Sequence, residues 1–238
     1  LNVIPQLAST ATSSHPVFHT SSSPWPQPSL LGYILNLDGS TSNPRPLGAG
    51  ARLFCTDCHN SDDNREFGGA GPNGPHGSQY SHILERRYEF SQVAISAGPG
   101  TAIQNLFPNP DLSAGGASPG PYALCAKCHD LSTVMTNASF TLPGGSAGHF
   151  VHVAEVGASC SVCHTAHGMG SLSATITGER LVNFDVNIVA PNGASPISYS
   201  HAANSCVLTC HGYNHNADGT VSDMVSATSP RQNVARPK

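Results

Sequence analysis

The chain has 238 residues and a formal net charge of −4. Its 10 lysines and arginines form no basic run, which excludes the phosphate-binding stripe that a nucleic-acid-binding protein carries. No segment approaches about 18 consecutive apolar residues, so the sequence predicts no membrane span.

Charged residues make up only 10% of the chain, and 24 glycines and 19 prolines interrupt it. Such a composition predicts many loops and little side-chain burial to offset the entropy of ordering the backbone. We therefore expect a mostly irregular, coil-like fold with a few short α-helices and minimal β structure. Something other than a side-chain core has to hold this fold together.

Residues 1–50 are rich in Ser, Thr and Pro and include Trp25, the single tryptophan. Proline disfavours helix, so we predict an extended N-terminal arm that docks onto another part of the assembly, such as a second subunit. Residues 51–238 are predicted to form one domain. Leu1 is interpreted as a mature N-terminus left after removal of a signal peptide, which implies an extracellular protein.

Local patterns predict a few elements in the second region. The sequence favours a helix over residues 80–96, a short helix within residues 145–170, and strands at 175–177 and 181–189, where apolar residues alternate. Asn192 and Gly193 predict a turn.

The eight cysteines form four pairs, and a histidine directly follows each pair. Three pairs read C-x-x-C-H, the pattern that attaches c-type haem, and the fourth has one extra residue between its cysteines. We predict four covalent haem c groups, attached through Cys55 and Cys58, Cys125 and Cys128, Cys160 and Cys163, and Cys206 and Cys210. The predicted proximal iron ligands are His59, His129, His164 and His211.

The spacing has a mechanical reason. Two thiols have to reach the two vinyl groups on one edge of a porphyrin, and the next histidine then turns under the plane to bind iron. A zinc ribbon or a disulfide framework needs no histidine after every pair, and a thioredoxin-like motif occurs once in a domain. The four haems would use every thiol and supply the apolar surface that the side chains lack.

Nine further histidines exceed the number that four sixth iron positions require, so we predict bis-histidine ligation at every haem. A pair three residues apart shares one face of a helix and is suited to reach two irons. The candidates for the four distal positions are His76, His149, His152, His167 and one of the upstream pair His15 and His19, with His19 taken as the candidate. His201 is left open, and His82 and His215 are predicted to be spare.

Residues 51–215 resemble a known family. The four attachment motifs, together with the pieces Gly-Pro-His-Gly-Ser and Cys-His-Thr-Ala-His-Gly, are similar to the extracellular tetrahaem cytochromes that polymerise into nanowires, the OmcE-like type. The resemblance implies closely packed haems, alternately parallel and T-shaped, continuous across identical subunits. It also implies one axial histidine from a neighbouring subunit, for which His15, His19 and His167 are the candidates.

The sequence thus predicts electron transfer and no enzymatic activity, because a filled sixth position excludes substrate from iron. Its partners would be identical subunits in a filament and other redox proteins or extracellular electron acceptors. One alternative is a monomeric periplasmic or surface shuttle with the same haems. A second is a multihaem reductase with one open iron, which the surplus of histidines disfavours.

Overall fold

The computed structural model of the chain describes residues 3–20, 29–42, 45–90, 92–94, 103–105, 111–169 and 179–223. Within these ranges the helices are short and most residues lie in turns and irregular segments. Four α-helical turns are Ile4–Leu7 (α1), Ala123–Ala126 (α2), Leu131–Val134 (α3) and Cys160–Cys163 (α4). Single 3₁₀ turns span Cys55–Asp57, Arg65–Phe67, Ser81–Ile83 and Glu179–Leu181, and a π-helix spans Phe150–Glu155.

The strands pair in small antiparallel sheets. A four-stranded sheet has the order β10-β9-β8-β7, and three two-stranded ladders join β1 to β6, β2 to β3 and β4 to β5. The strands are Ser13–Ser14 (β1), Tyr33–Ile34 (β2), Arg45–Pro46 (β3), Gln92–Ala94 (β4), Ile103–Asn105 (β5), Gly168–Met169 (β6), Ser198–Ser200 (β7), Ser205–Cys210 (β8), Tyr213–His215 (β9) and Val221–Asp223 (β10). No helix among the described residues has the length and apolar character to cross a membrane.

The helix predicted over residues 80–96 is wrong for the part that the structure describes. His82 and Ile83 have φ angles of 60° and 54°, which a right-handed helix does not tolerate. Further along, Gln92–Ala94 is a strand that pairs with Ile103–Asn105. Tertiary contacts override the local propensity here, because the Glu85 amide donates to the Cys58 carbonyl at 2.8 Å and holds the chain extended.

The strand predicted over residues 181–189 is also wrong, and residues 175–177 lie outside the described ranges. Only Val182 forms an isolated bridge, and the Ile188 amide closes a turn on the Asp185 carbonyl at 2.9 Å. The turn at Asn192 and Gly193 is confirmed by a 3.0 Å hydrogen bond from the Ser195 amide to the Asn192 carbonyl. The short helix within residues 145–170 is confirmed by the π-helix and α4.

The buried apolar residues in the described ranges form three small clusters, and at least one predicted haem-attachment cysteine belongs to or packs against each of them. One contains Ile34, Leu47 and Phe67 with Cys128 packed against it. A second surrounds Tyr122 and includes Cys125 and Cys160, and a third combines Val162, Ile188, Val189 and Leu208 with Cys163, Cys206 and Cys210. The apolar core is therefore arranged around the thiols.

The described parts of residues 1–50 lie against the rest of the chain. Leu7 is buried, the strand β1 pairs with β6, and Ile34 is fully buried in the cluster with Phe67. The Ser- and Pro-rich stretch 21–28, with Trp25, falls outside the described residues. Contact of this segment with a second subunit stays a prediction.

Candidate cofactor sites

Three of the four cysteine pairs lie on or beside a single helical turn. In each, the amide of the histidine donates to the carbonyl of the first cysteine, at 2.8 Å for His59, 2.9 Å for His129 and 2.8 Å for His164. A helical turn brings residues three apart to one side, so both thiols of a pair face the same way. The C-x-x-C spacing therefore presents two thiols to one edge of a flat ligand.

The fourth pair lies on a strand instead of a helix. Cys206 and Cys210 belong to β8, and His211 and Gly212, with φ angles of 39° and 85°, form the tight turn into β9. Side chains alternate between the two faces of a strand, so residues four apart share a face and residues three apart do not. The extra residue of this motif keeps both thiols on one side, which explains the longer spacing.

The eight cysteines are free; Cys210 is a buried residue, Cys55 and Cys58 are exposed residues, and the other five are half-buried. Burial raises the pKa of Cys58, Cys206 and Cys210 to about 11 and that of Cys128 to about 12, so these groups are neutral thiols. No cysteine in the described ranges joins a group of three or more metal-binding side chains. This arrangement disfavours a zinc–thiolate site, which needs several deprotonated thiols around one ion.

Two of the histidines that follow cysteine pairs face a second histidine across a narrow gap. The ring centroids of His59 and His167 lie 6.2 Å apart, and those of His149 and His164 lie 6.3 Å apart, with interplanar angles of 27° and 28°. A metal ion holds an imidazole nitrogen about 2 Å away, and that nitrogen lies about 1.1 Å from the ring centroid, so opposed ligands have centroids about 6.2 Å apart. Both pairs thus have the spacing of two axial ligands on one ion.

The histidine of the fourth motif belongs to a group of three. His152 lies 6.3 Å from His211, with the ring planes at 72°, and 6.1 Å from His215. His211 and His215 are only 5.6 Å apart, too close to sit on opposite sides of one ion. His152 is therefore the partner that fits His211 best. The sequence left His215 as a spare, and the hairpin β8–β9 brings it to this site.

His15 is the upstream histidine that interacts with the second motif. Burial, together with smaller effects of the neighbouring His15 and His164, lowers the pKa of His129 to about 4. His15 is held in place by its own hydrogen bonds, from its Nδ1 to the Ala166 carbonyl at 2.7 Å and from its amide to the His167 carbonyl at 3.2 Å. These bonds follow from the pairing of β1 with β6.

The short turn at residues 81–85 is hydrogen-bonded to the first motif at two points. His59 Nδ1 lies 2.9 Å from the His82 carbonyl oxygen, and three residues further on the Glu85 amide donates to the Cys58 carbonyl. A ring whose Nδ1–H donates to a carbonyl has its Nε2 free to bind metal. The left-handed backbone at His82 and Ile83 turns the carbonyl toward the ring.

The third motif is supported by the same arrangement. His164 Nδ1 lies 3.2 Å from the Arg180 carbonyl oxygen, and three residues further on the Asn183 amide donates to the Cys163 carbonyl at 2.8 Å. Arg180 and Leu181 also have left-handed φ angles, 56° and 60°. The turns at residues 81–85 and 179–183 are thus structurally equivalent.

A third segment contacts the second motif in the corresponding register. The Leu31 amide donates to the Cys128 carbonyl at 2.8 Å, and Leu30 forms a bridge with His129. The Asp130 amide donates to the Ser29 carbonyl at 2.7 Å. We call these three segments, residues 29–31, 81–85 and 179–183, the docking segments. They have no common sequence motif, so no pattern in the sequence predicted them.

Other histidines of the sequence prediction are not brought to such a pair. His76 is exposed on a glycine-rich loop, and neither it nor His19 has a described histidine ring at the spacing of axial ligands. His82 contributes its carbonyl, and its ring packs against Phe90. His201 Nε2 lies 3.0 Å from the Arg180 guanidinium on the surface.

The thiols of successive motifs lie near one another in chain order. Cys58 and Cys128 interact electrostatically, Cys125 and Cys160 pack against one apolar cluster, and Cys163, Cys206 and Cys210 belong to another. The imidazoles give the same order, because His15 lies close to His167 and His129, and His149 lies close to His152. The four motifs therefore form a linear series, first to fourth.

The fourth site tests whether the residues fit a large flat ligand. His211 Nε2 is buried and has no hydrogen-bond partner, as expected for a nitrogen that binds a metal. It faces a mainly apolar cavity of about 170 Å³, lined by Phe140, Val151, His152 and Val156 among others. The donor set of this site, with two thiols on one strand and an unpartnered imidazole nitrogen beside apolar side chains, fits an iron porphyrin.

Comparisons with protein-family models, with curated proteins and with solved structures found no match to this chain. The assignment of a function thus depends on the sequence motifs and on the geometry of the cysteine and histidine sites.

Proposed function

We propose that this chain attaches four haems covalently and transfers electrons along them. The observation that carries the proposal is the pairing of motif histidines with second histidines at the spacing of axial ligands, 6.2 Å for His59 with His167 and 6.3 Å for His164 with His149. Four repeats of a thiol pair followed by a metal-binding histidine match the chemistry of haem c attachment. When bound, haem iron supplies reversible one-electron transfer.

The axial pairs in this proposal are His59 with His167, His129 with His15, His164 with His149, and His211 with His152. In two of these pairs the motif histidine donates Nδ1–H to the carbonyl of a docking turn, and in the other two the second histidine donates, at 2.7 Å for both His15 and His152. This hydrogen bond fixes the tautomer and the ring orientation. Two imidazoles on each iron leave no position for a substrate, so we propose no enzymatic activity.

The linear order of the motifs supports electron transfer from the first haem to the fourth. The thiols of neighbouring motifs lie near one another, which would bring the attached edges of successive cofactors close together. A short distance between cofactor edges is what the protein has to provide, because the redox chemistry belongs to the cofactor.

We further propose that the protein is extracellular and that identical subunits assemble into a filament that carries electrons to other redox proteins or extracellular acceptors. The resemblance of the motifs to polymerising tetrahaem cytochromes supports this step. His19 and His76 are not needed for the four axial pairs, and remain available for contact with a second copy. A monomeric periplasmic or surface shuttle with the same four haems is the alternative.

The haem proposal is tested on the protein purified from a host that attaches c-type haem. We expect a mass increase equal to four haems, four haems per chain in the pyridine haemochrome assay, and purely low-spin spectra. Carbon monoxide should not bind to the ferrous protein. Fewer than four haems, or a high-spin signal in the unmodified protein, would contradict the proposal.

A further inference from the structure

A network of buried charges lies between the first and second cysteine pairs. Lys127, within the second pair, is 1% exposed, and its Nζ donates to Glu85 Oε2 at 2.7 Å. Arg86, 2% exposed, donates from Nε to Glu85 Oε1 at 3.0 Å. Glu85 itself is fully buried. Two cations thus share one carboxylate away from solvent.

The network touches both attachment sites. Lys127 Nζ also donates to the carbonyl of Asp57 at 2.8 Å, and Asp57 lies between the two cysteines of the first pair. The Glu85 amide donates to the Cys58 carbonyl. The positive charge of Lys127 opposes the burial that raises the pKa of Cys58 and of Cys128. Its field therefore reaches the thiols of both motifs.

The other two junctions contain no such charges among the described residues. Between the second and third motifs, Tyr88 and Tyr122 pack with Cys125 and Cys160. Between the third and fourth motifs, the contacts are aliphatic, through residues such as Val162 and Leu208. The polarity of the junctions thus falls along the series, from ionic to phenolic to aliphatic.

Stability alone does not account for this network. Apolar side chains of similar volume are often as stable as a buried ion pair or more so, because charges lose their hydration on burial. Lys127 additionally stacks 3.5 Å from the centroid of Phe67, a position that a methionine side chain would also fill.

On the basis of the proposed haem function, we propose that Lys127, Glu85 and Arg86 set the midpoint potentials of the first two haems apart from those of the third and fourth. Ferric haem carries one more positive charge than ferrous haem. A nearby cation disfavours the ferric state and raises the midpoint potential, and a nearby anion lowers it. The three side chains would act on the haems through their electric charge, without contacting iron.

The test is a spectroelectrochemical titration of the haem-loaded protein and its variants. Lys127→Met should lower two of the four midpoint potentials by about 59 mV. At a fixed potential the ferric-to-ferrous ratio of those two haems then rises about tenfold, because about 59 mV corresponds to a factor of ten for a one-electron couple. Glu85→Gln should raise the same two potentials, and the double variant should lie between the single variants. Lys127→Arg and the exposed Glu155→Gln are the matched controls, and neither should shift the potentials comparably.

Lys127→Met keeps the remaining charges paired, because Glu85 still accepts from Arg86. Glu85→Gln removes the shared counter-charge but leaves both cations hydrogen-bonded, Lys127 to the Asp57 carbonyl and Arg86 to the Ala114 carbonyl. Unchanged potentials, or an equal shift of all four potentials, would overturn the inference about the ion network. If those variants still carry four low-spin haems per chain, the proposed electron-transfer function is unaffected. Loss of haem from Glu85→Gln would make the network a requirement for attachment and would also overturn its role in tuning.

Discussion

Individual histidines differ in this chain by what surrounds their rings and not by their sequence context. His167 and His76 both lie beside glycine in the sequence, but His167 faces His59 at 6.2 Å and His76 is exposed. The sequence favoured both as distal ligands. The tertiary structure separates them, because only one of the two lies opposite a motif histidine.

Replacing His167 by alanine should leave the first haem with one axial ligand. We expect about a quarter of the haem to become high-spin and to bind carbon monoxide in the ferrous state, because the sixth position opens. Absorption and electron paramagnetic resonance spectra measure both effects. His76→Ala is the control and should stay fully low-spin. An equal response of the two variants would contradict the assignment of His167.

The upstream histidines His15 and His19 allow a second comparison between single residues. His15→Ala should open the sixth position of the second haem, because His15 is the upstream histidine that lies close to His129. His19→Ala should leave the spectra of the isolated chain unchanged. If the His19 variant binds carbon monoxide and the His15 variant does not, His19 is the ligand, as the sequence predicted.

Short backbone elements carry the histidines to their places. The two-residue ladder of β1 and β6 joins residues more than 150 positions apart, and it places His15 beside His167. Gly168 makes the ladder possible, because a Cβ atom there would lie 2.1 Å from the Gln6 carbonyl oxygen and 2.6 Å from the Ser14 Cβ. The approach of the N-terminal segment therefore depends on a missing side chain.

Gly168→Ala should detach the N-terminal segment from β6. We expect a loss of about 1–3 kcal/mol in the free energy of unfolding from overpacking, and carbon monoxide binding at the haem that His15 serves. Thermal denaturation and ferrous spectra measure the two effects together. Gly32→Ala is the control, because nothing lies within 4 Å of a Cβ at that position. A variant with unchanged stability and spectra would show that the ladder does not hold His15.

The three docking segments are the second feature at the scale of elements. They support the first three motifs through equivalent backbone hydrogen bonds, from amides such as Glu85, Leu31 and Asn183 to the carbonyl of the second cysteine. Backbone atoms make these contacts, so almost any side chain is compatible with them. Sequence patterns predicted a helix and a strand at two of these segments, and both predictions were wrong for this reason.

At the scale of the molecule, the described residues form little apolar side-chain core, and their three small clusters all adjoin cysteines. Four haems would complete these clusters and join them into one continuous core. The haems that carry electrons in the proposed function would then also form most of the apolar core.

Assembly is tested at the same scale. A filament subunit should form fibres in negative-stain micrographs of the haem-loaded protein, and these fibres should persist on dilution because each interface buries cofactor and protein surface together. Sedimentation across a wide range of concentrations provides the second measurement. Monomers at every concentration would favour the shuttle.

The sequence by itself determined the thiol pairs, the four histidines that follow them and the shortage of apolar side chains. These are local, since three or four intervening positions and a bulk composition are enough to specify them. The tertiary structure decided which second histidines lie opposite the motif histidines, that His15 interacts with His129, and that, within the described part of the chain, a buried ion network lies at the first junction only. These features depend on contacts between distant segments, made largely by backbone atoms and by glycines that permit close approach. Such contacts leave no periodic pattern in the sequence.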